Sequence, residues 1–186
     1  MEKHQNTLAI VIKSQSIRES DILVTLLTPN LGKIVATAKG AKQIKSSRLG
    51  SLQLGNTIKA HLYTKNGYTW LSEATSISQF LLQPKQLTQI NLLFYFLEII
   101  NNFIAQDQYI PQVYEISEKI IQSIADNQLA QFIDQEIKLI SVLGFGLPEE
   151  ITHTFKLKEY VLCQKLIRQH LESILEKPLQ SGKMFS

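Results

Sequence analysis

The hydrophobic period changes once along this chain of 186 residues, near residue 80, and that change restricts the fold more than any other feature. Before it, Thr7–Ser14, Ile22–Thr28 and Ile34–Lys39 are short, β-branched runs separated by Arg18-Glu19-Ser20-Asp21 and Pro29-Asn30-Leu31-Gly32, the composition of strands joined by turns. Ile58–Lys65 and Tyr68–Ser76 then flank Asn66-Gly67, a dipeptide suited to a type I′ hairpin because both central residues need positive φ. Five short strands within 79 residues predict a small barrel. After Pro84 the period becomes that of helices. One broad apolar face runs from Leu92 to Ile104 and another joins Val113, Ile116, Ile120, Ile121 and Ile124, as amphipathic helices require. A third helix is expected from about Gln128 to Leu143, ended by Gly144, Gly146 and Pro148, and a last one from about Lys156 to Glu176. The expected class is therefore α+β, with a β domain over 1–79 and a helical domain over 80–186.

Charge divides at the same place. Residues 1–79 carry ten Lys/Arg against four Asp/Glu, whereas residues 80–186 carry nine against twelve. No acidic residue occurs between Asp21 and Glu73, yet that window holds Lys33, Lys39, Lys42, Lys45, Arg48, Lys59 and Lys65. Clustered cations displace condensed counterions from phosphates, which points to a polyanion partner; the alternative is a solvated cationic face without a specific ligand. With the earlier Lys13 and Arg18 these residues form the candidate set for binding a nucleic acid or other polyanion. The start of the chain lacks the basic and apolar regions of a leader, and no apolar run approaches the ~20 residues of a spanning helix. The expectation is a cytoplasmic protein with no membrane segment.

The hairpin register carries the reading further. With a two-residue loop Lys65 faces Tyr68, Tyr63 faces Trp70 and His61 faces Ser72, so Lys59, His61, Tyr63, Lys65, Tyr68 and Trp70 share one face while Ile58, Leu62 and Leu71 share the other. Flat rings beside cations suit single-stranded nucleic acid, and Tyr63, Tyr68 and Trp70 are the candidate stacking residues. The same rings also serve a hairpin as a cross-strand pair. Lys39 to Arg48 places a cation at every third residue between Gly40 and Gly50 and reads as a mobile loop that follows a phosphate backbone or merely solubilises. Catalytic signals are weak. His4, His61, His153 and His170 lack the spacing of a metal site with the single Cys163, and no phosphate-binding loop or nucleophile motif occurs. Neither an enzyme nor a cofactor is expected.

Glu19-Ser20-Asp21, Leu23 to Pro29, Leu31-Gly32-Lys33, Ala38-Lys39-Gly40-Ala41, Ser47 and Gly50-Ser51-Leu52-Gln53 closely resemble the N-terminal domain of the bacterial recombination mediator family RecO. Further on, Leu143-Gly144-Phe145-Gly146-Leu147 and Lys177-Pro178-Leu179-Gln180-Ser181-Gly182-Lys183 resemble its helix-ending and terminal motifs. The resemblance implies an N-terminal OB-fold followed by a helical interaction domain, in a nucleoid-associated DNA repair protein. Such a protein binds single- and double-stranded DNA, anneals complementary strands, and works with RecR and single-stranded DNA-binding protein (SSB) to load RecA. It also implies DNA contacts at the matching Lys33, Lys39, Lys42 and Arg48. If the family's binding to the acidic, apolar-ended SSB tail persists, it needs an apolar groove beside a cation, and Lys138, Lys165 and Arg168 are the candidates. Two departures stand out. Many members carry a four-cysteine zinc site after the segment matching Leu143–Leu147, and here that lobe is expected to be missing, with the chain passing almost directly into its last helix. Gly182 stands where members often have a basic residue. A generic OB-fold RNA-binding protein with a helical assembly domain is the competing reading, and a nucleic-acid enzyme the remotest.

Overall fold

The computed structural model describes residues 2–43, 46 and 48–181, in two compact units. The first comprises Met1–Pro84 together with Ile104–Tyr114, and the second Lys85–Phe103 together with Glu115–Ser186. A single cut at residue 79 therefore does not describe the chain: residues 104–114, expected with the helices, belong to the first unit.

Strands β1 (Lys3–Ser16), β2 (Ile22–Thr28), β3 (Gly32–Ala38), β4 (Thr57–Lys65) and β5 (Tyr68–Ser78) close into a barrel in the order β1-β2-β3-β5-β4. A short helix, α1 (Arg48–Ser51), lies between β3 and β4. This is the OB-fold. Its interior is filled by Val11, Val24, Leu26, Leu62 and Leu71 interleaved with Ala9, Ala36, Ala38, Ala60 and Ala74. A narrow barrel needs that alternation of large and small side chains. β1 exceeds its expected span at both ends, and its register with β2 shifts between Val11 and Lys13. There Val11 N–H donates to the Asn56 carbonyl and Gly55 N–H to the Val11 carbonyl, at 2.9 and 3.0 Å.

Two features secure the barrel's connections. Buried Asn56 donates through Nδ2 to the carbonyls of Gly50 and Ser51, at 3.1 and 3.3 Å, while its Oδ1 accepts from Phe80 N–H at 3.1 Å. The segment 104–114 meets the start of β3, where Asp107 N–H donates to the Lys33 carbonyl at 2.7 Å and Lys33 N–H to the Gln108 carbonyl at 3.4 Å. Gly32, at φ +67°, makes this approach possible, since a Cβ there would stand 1.9 Å from the Gln108 carbonyl oxygen.

The second unit is built from α2 (Leu87–Phe103), α3 (Val113–Ala125, from Glu115 onward), α4 (Leu129–Val142), α5 (Glu149–Lys156) and α6 (Tyr160–Leu175). Gly144, at φ +84°, ends α4 as expected: Phe145 N–H returns to the Ile140 carbonyl and Gly144 N–H to that of Ser141, the paired bonds of a Schellman motif. The last helix, expected from about Lys156 to Glu176, is α6, and a further helix, α5, precedes it where the chain was expected to pass almost directly into the last one. Pro148 precedes α5, Glu149 and Glu150 occupy its first turn, where the helix dipole favours anions, and Lys158 at φ +61° separates it from α6. No described helix is long and apolar enough to cross a membrane.

The end of the described chain is fastened to α2. The Glu98 carboxylate accepts from Gln180 N–H, Ser181 N–H and the Ser181 hydroxyl at 2.8, 2.9 and 2.7 Å. Burial alone would raise this carboxyl, but the three donors outweigh it and hold Glu98 below the ordinary carboxylate range. Gln180 and Ser181 of the terminal motif are thus engaged structurally, and Gly182 and Lys183 lie outside the described residues.

Candidate nucleic-acid interface

The Asn66-Gly67 turn has φ +51° and +79° at its two residues, and it sets Lys65 against Tyr68 and Tyr63 against Trp70. A bulge between His61 and Leu62 then moves His61 opposite Glu73 rather than Ser72. An inserted residue bends the strand without turning the face over, and the outward set survives. Ile58, Leu62 and Leu71 are buried, whereas Lys59, Lys65 and Tyr68 are exposed.

On that outer face the side chains form one strip across three neighbouring strands. The Tyr63 and Trp70 rings stack with centroids 5.5 Å apart, and Tyr68 lies 6.2 Å from Trp70. From β1, His4 comes within 4.7 Å of Tyr63 and 5.6 Å of His61. The Lys39 ammonium sits 5.4 Å from the Trp70 ring centroid, a cation–π contact. Tyr68 is 70% exposed, while Tyr63 and Trp70 pair across the hairpin.

The expected cations fall into different environments. Lys13, Arg18, Lys39, Lys42 and Lys59 are exposed. Lys65 is exposed but paired with Glu2 at 2.5 Å; that hydrogen bond raises the lysine and lowers the carboxyl. Lys33 departs from the expectation. It is only 6% exposed, although it alternates along β3 with the inward Ile34 and Ala36, and burial lowers its pKa. Lys45 lies outside the described residues.

Arg48 has a structural task. Nη1 donates to the carbonyls of Leu71 and Ser72 at 3.1 and 3.2 Å, and Nη2 to that of Lys39 at 2.6 Å. β3 and β5 share one ladder pair, Thr37 with Trp70, and the guanidinium bridges the two chains just beyond it. The described part of the loop expected to be mobile is likewise held. Asp21 Oδ1 accepts from Gly40 N–H at 2.8 Å, and Lys42 N–H donates to the Ser20 carbonyl at 3.0 Å. A polar cleft of about 490 Å³ lies beside it, lined by Gln43, Ser46, Arg48, Glu73 and Thr75 among others.

In the helical unit an open groove of about 930 Å³ is lined by Leu129, Tyr160, Val161, Leu162, Lys165 and Arg168 among others. Lys165 is an exposed cation there, and Val161 is 79% exposed. Arg168 is largely committed elsewhere, with Nε on Glu172 at 3.1 Å and its guanidinium 5.9 Å from the Tyr95 ring centroid. Lys138 lies outside the groove lining and pairs with Asp134 at 2.6 Å. Cys163 is buried, and burial raises its thiol.

Sequence reasoning missed His4, whose neighbours in the strip are supplied by a strand more than fifty residues away, and Asn56, whose partners come from two connections. It also missed the three carbonyls that Arg48 holds, since spacing from Lys39, Lys42 and Lys45 shows only a cationic loop.

Residues 1–80 match the family described as Recombination protein O N terminal. Proteins named DNA repair protein RecO are similar over most of this chain. That of Listeria monocytogenes serotype 4b is 30% identical over 137 residues, 73% of this chain and 54% of the relative. That of Thermoanaerobacter sp. is 26% identical over 142 residues, 75% and 57%, and that of Caldanaerobacter subterraneus 27% over 142 residues, 75% and 58%. The chain spans about half the length of these curated relatives. With an OB barrel of matching extent and this likeness reaching into the helices, residues 1–80 belong to the recombination protein O N-terminal family, and the chain is similar to RecO proteins over most of its length.

Proposed function

We propose that this chain is a non-enzymatic DNA repair protein of homologous recombination. The barrel unit is its nucleic-acid-binding part and the helical unit its interaction part. In this reading it binds single- and double-stranded DNA, anneals complementary strands, and helps load RecA onto DNA coated by SSB, with RecR as a further partner. The observation that supports it most is the strip of Lys39, Trp70, Tyr63, Tyr68 and His4 on the outer face of the barrel, whose sequence has no acidic residue between Asp21 and Glu73. Bases stack on rings whatever their sequence, while Lys39, Lys42 and Lys59 meet the phosphates.

The groove beside Lys165 is the place for the acidic, apolar-ended SSB tail. It pairs apolar walls with a cation, and Lys165 takes precedence over Lys138 and Arg168 because theirs are engaged. Annealing of complementary oligonucleotides, with and without SSB, tests the whole reading. Acceleration by the protein that persists on SSB-coated strands is expected; an unchanged rate on bare strands overturns it.

A further inference from the structure

We infer that His4 and His61 form a proton-linked phosphate subsite at the β1–β4 end of the strip, an inference that rests on the nucleic-acid reading above. β1 and β4 pair His4 with Tyr63 and Asn6 with His61, so the two histidines are diagonal neighbours on one face, their ring centroids 5.6 Å apart. His4 also packs 4.7 Å from Tyr63. A nucleotide whose base lies on the aromatic rings therefore has its backbone beside the imidazoles.

The tautomer of His61 follows from its hydrogen bonds. Ser72 Oγ donates to the His61 carbonyl at 3.0 Å and lies 2.5 Å from His61 Nδ1. One hydroxyl has one hydrogen, so toward the ring the oxygen accepts and Nδ1 carries the N–H. Nε2 is then the basic nitrogen, and protonation there creates a new donor for an anion without disturbing the Ser72 contact.

The charged and titratable groups around the pair set the sign. Just before and on β1 these are Glu2 and Lys3, on β4 Lys59, Tyr63 and Lys65, and on β5 Glu73 opposite His61. Glu2 is neutralised by Lys65. Two imidazolium rings at this separation repel each other, and a phosphate between them removes that repulsion. Phosphate binding therefore favours proton uptake, and by reciprocity protons favour phosphate binding.

The test is the affinity for a labelled oligothymidylate at constant ionic strength, at about pH 6 and about pH 8, the range in which histidine changes charge. Wild type is expected to bind about tenfold tighter at the lower pH, within the usual span of such couplings. The double variant His4→Gln/His61→Gln should show a flat profile, and His4→Lys/His61→Lys should bind tightly and equally at both. The variants carry the test because Glu136 in the helical unit, raised to about 8, also changes charge here. A wild-type profile without slope, or one that the glutamine variant retains, overturns the inference. No binding at either pH sinks the nucleic-acid reading itself.

Discussion

Asn56 is 2% exposed and every arm of its amide is engaged, on two carbonyls at the α1 turn and on Phe80 N–H where the chain leaves the barrel. Asn56→Ala leaves three main-chain groups without those partners. An expected loss of about 3 kcal/mol, measurable by urea unfolding of the whole chain, follows from the cost of buried unsatisfied groups. Nothing around Gly55-Asn56 marks this in the sequence, because its partners lie up to 24 residues away. Lys33 and Arg48 show the same blindness in reverse. Each stands in a cationic pattern that reads as ligand binding, yet one is buried and the other holds three carbonyls. Charge is legible in a sequence, but whether a cation is already employed depends on the fold.

At the level of elements, local chemistry decided what was readable. Asn66-Gly67 and Gly144 have positive φ where the turn and the cap require it, and the hairpin and the end of α4 follow. The break between α5 and α6 falls on Lys158 in the left-handed region, a residue without that preference, and it was not foreseen. The β5 bulge escaped for a similar reason, since it has no glycine signal. Gly32 provides a test of the segment that returns to β3. In Gly32→Ala a methyl meets the Gln108 carbonyl and φ becomes unfavourable, so the barrel should lose about 3 kcal/mol, read by thermal unfolding. In the helical unit, Tyr95 Oη donates to Glu136 Oε1 at 2.6 Å, and burial raises this carboxyl to about 8. The native state therefore keeps a proton that the unfolded chain releases above the ordinary carboxyl pKa. Stability should fall as pH rises from about 5 to about 8, by at most about 1.4 kcal/mol per unit. Glu136→Gln should flatten that dependence in urea melts across the range.

For the molecule as a whole, the division of charge was legible because it needs only counting, and the barrel because hydrophobic period and turn chemistry agree. The excursion of residues 104–114 into the first unit was not, since an apolar segment between two helices gives no sign of which core it joins. Binding to DNA should be salt-dependent and indifferent to sequence. Lys39→Ala with Lys42→Ala should lower the slope of log affinity against log salt by about 1.4 on single strands, at about 0.7 per phosphate. A slope equal to that of the wild type would move the DNA path elsewhere. The seam between β3 and β5 has a mechanical meaning. A barrel fastened by one ladder pair and one guanidinium is a rolled ribbon with a clasp. Under load it is expected to part along that line, with the longer ladders of β1, β2 and β4 holding. Trp70 is the ladder residue on the β5 side of the clasp, so a loosened seam announces itself in the emission of the chain's single tryptophan before any strand is lost.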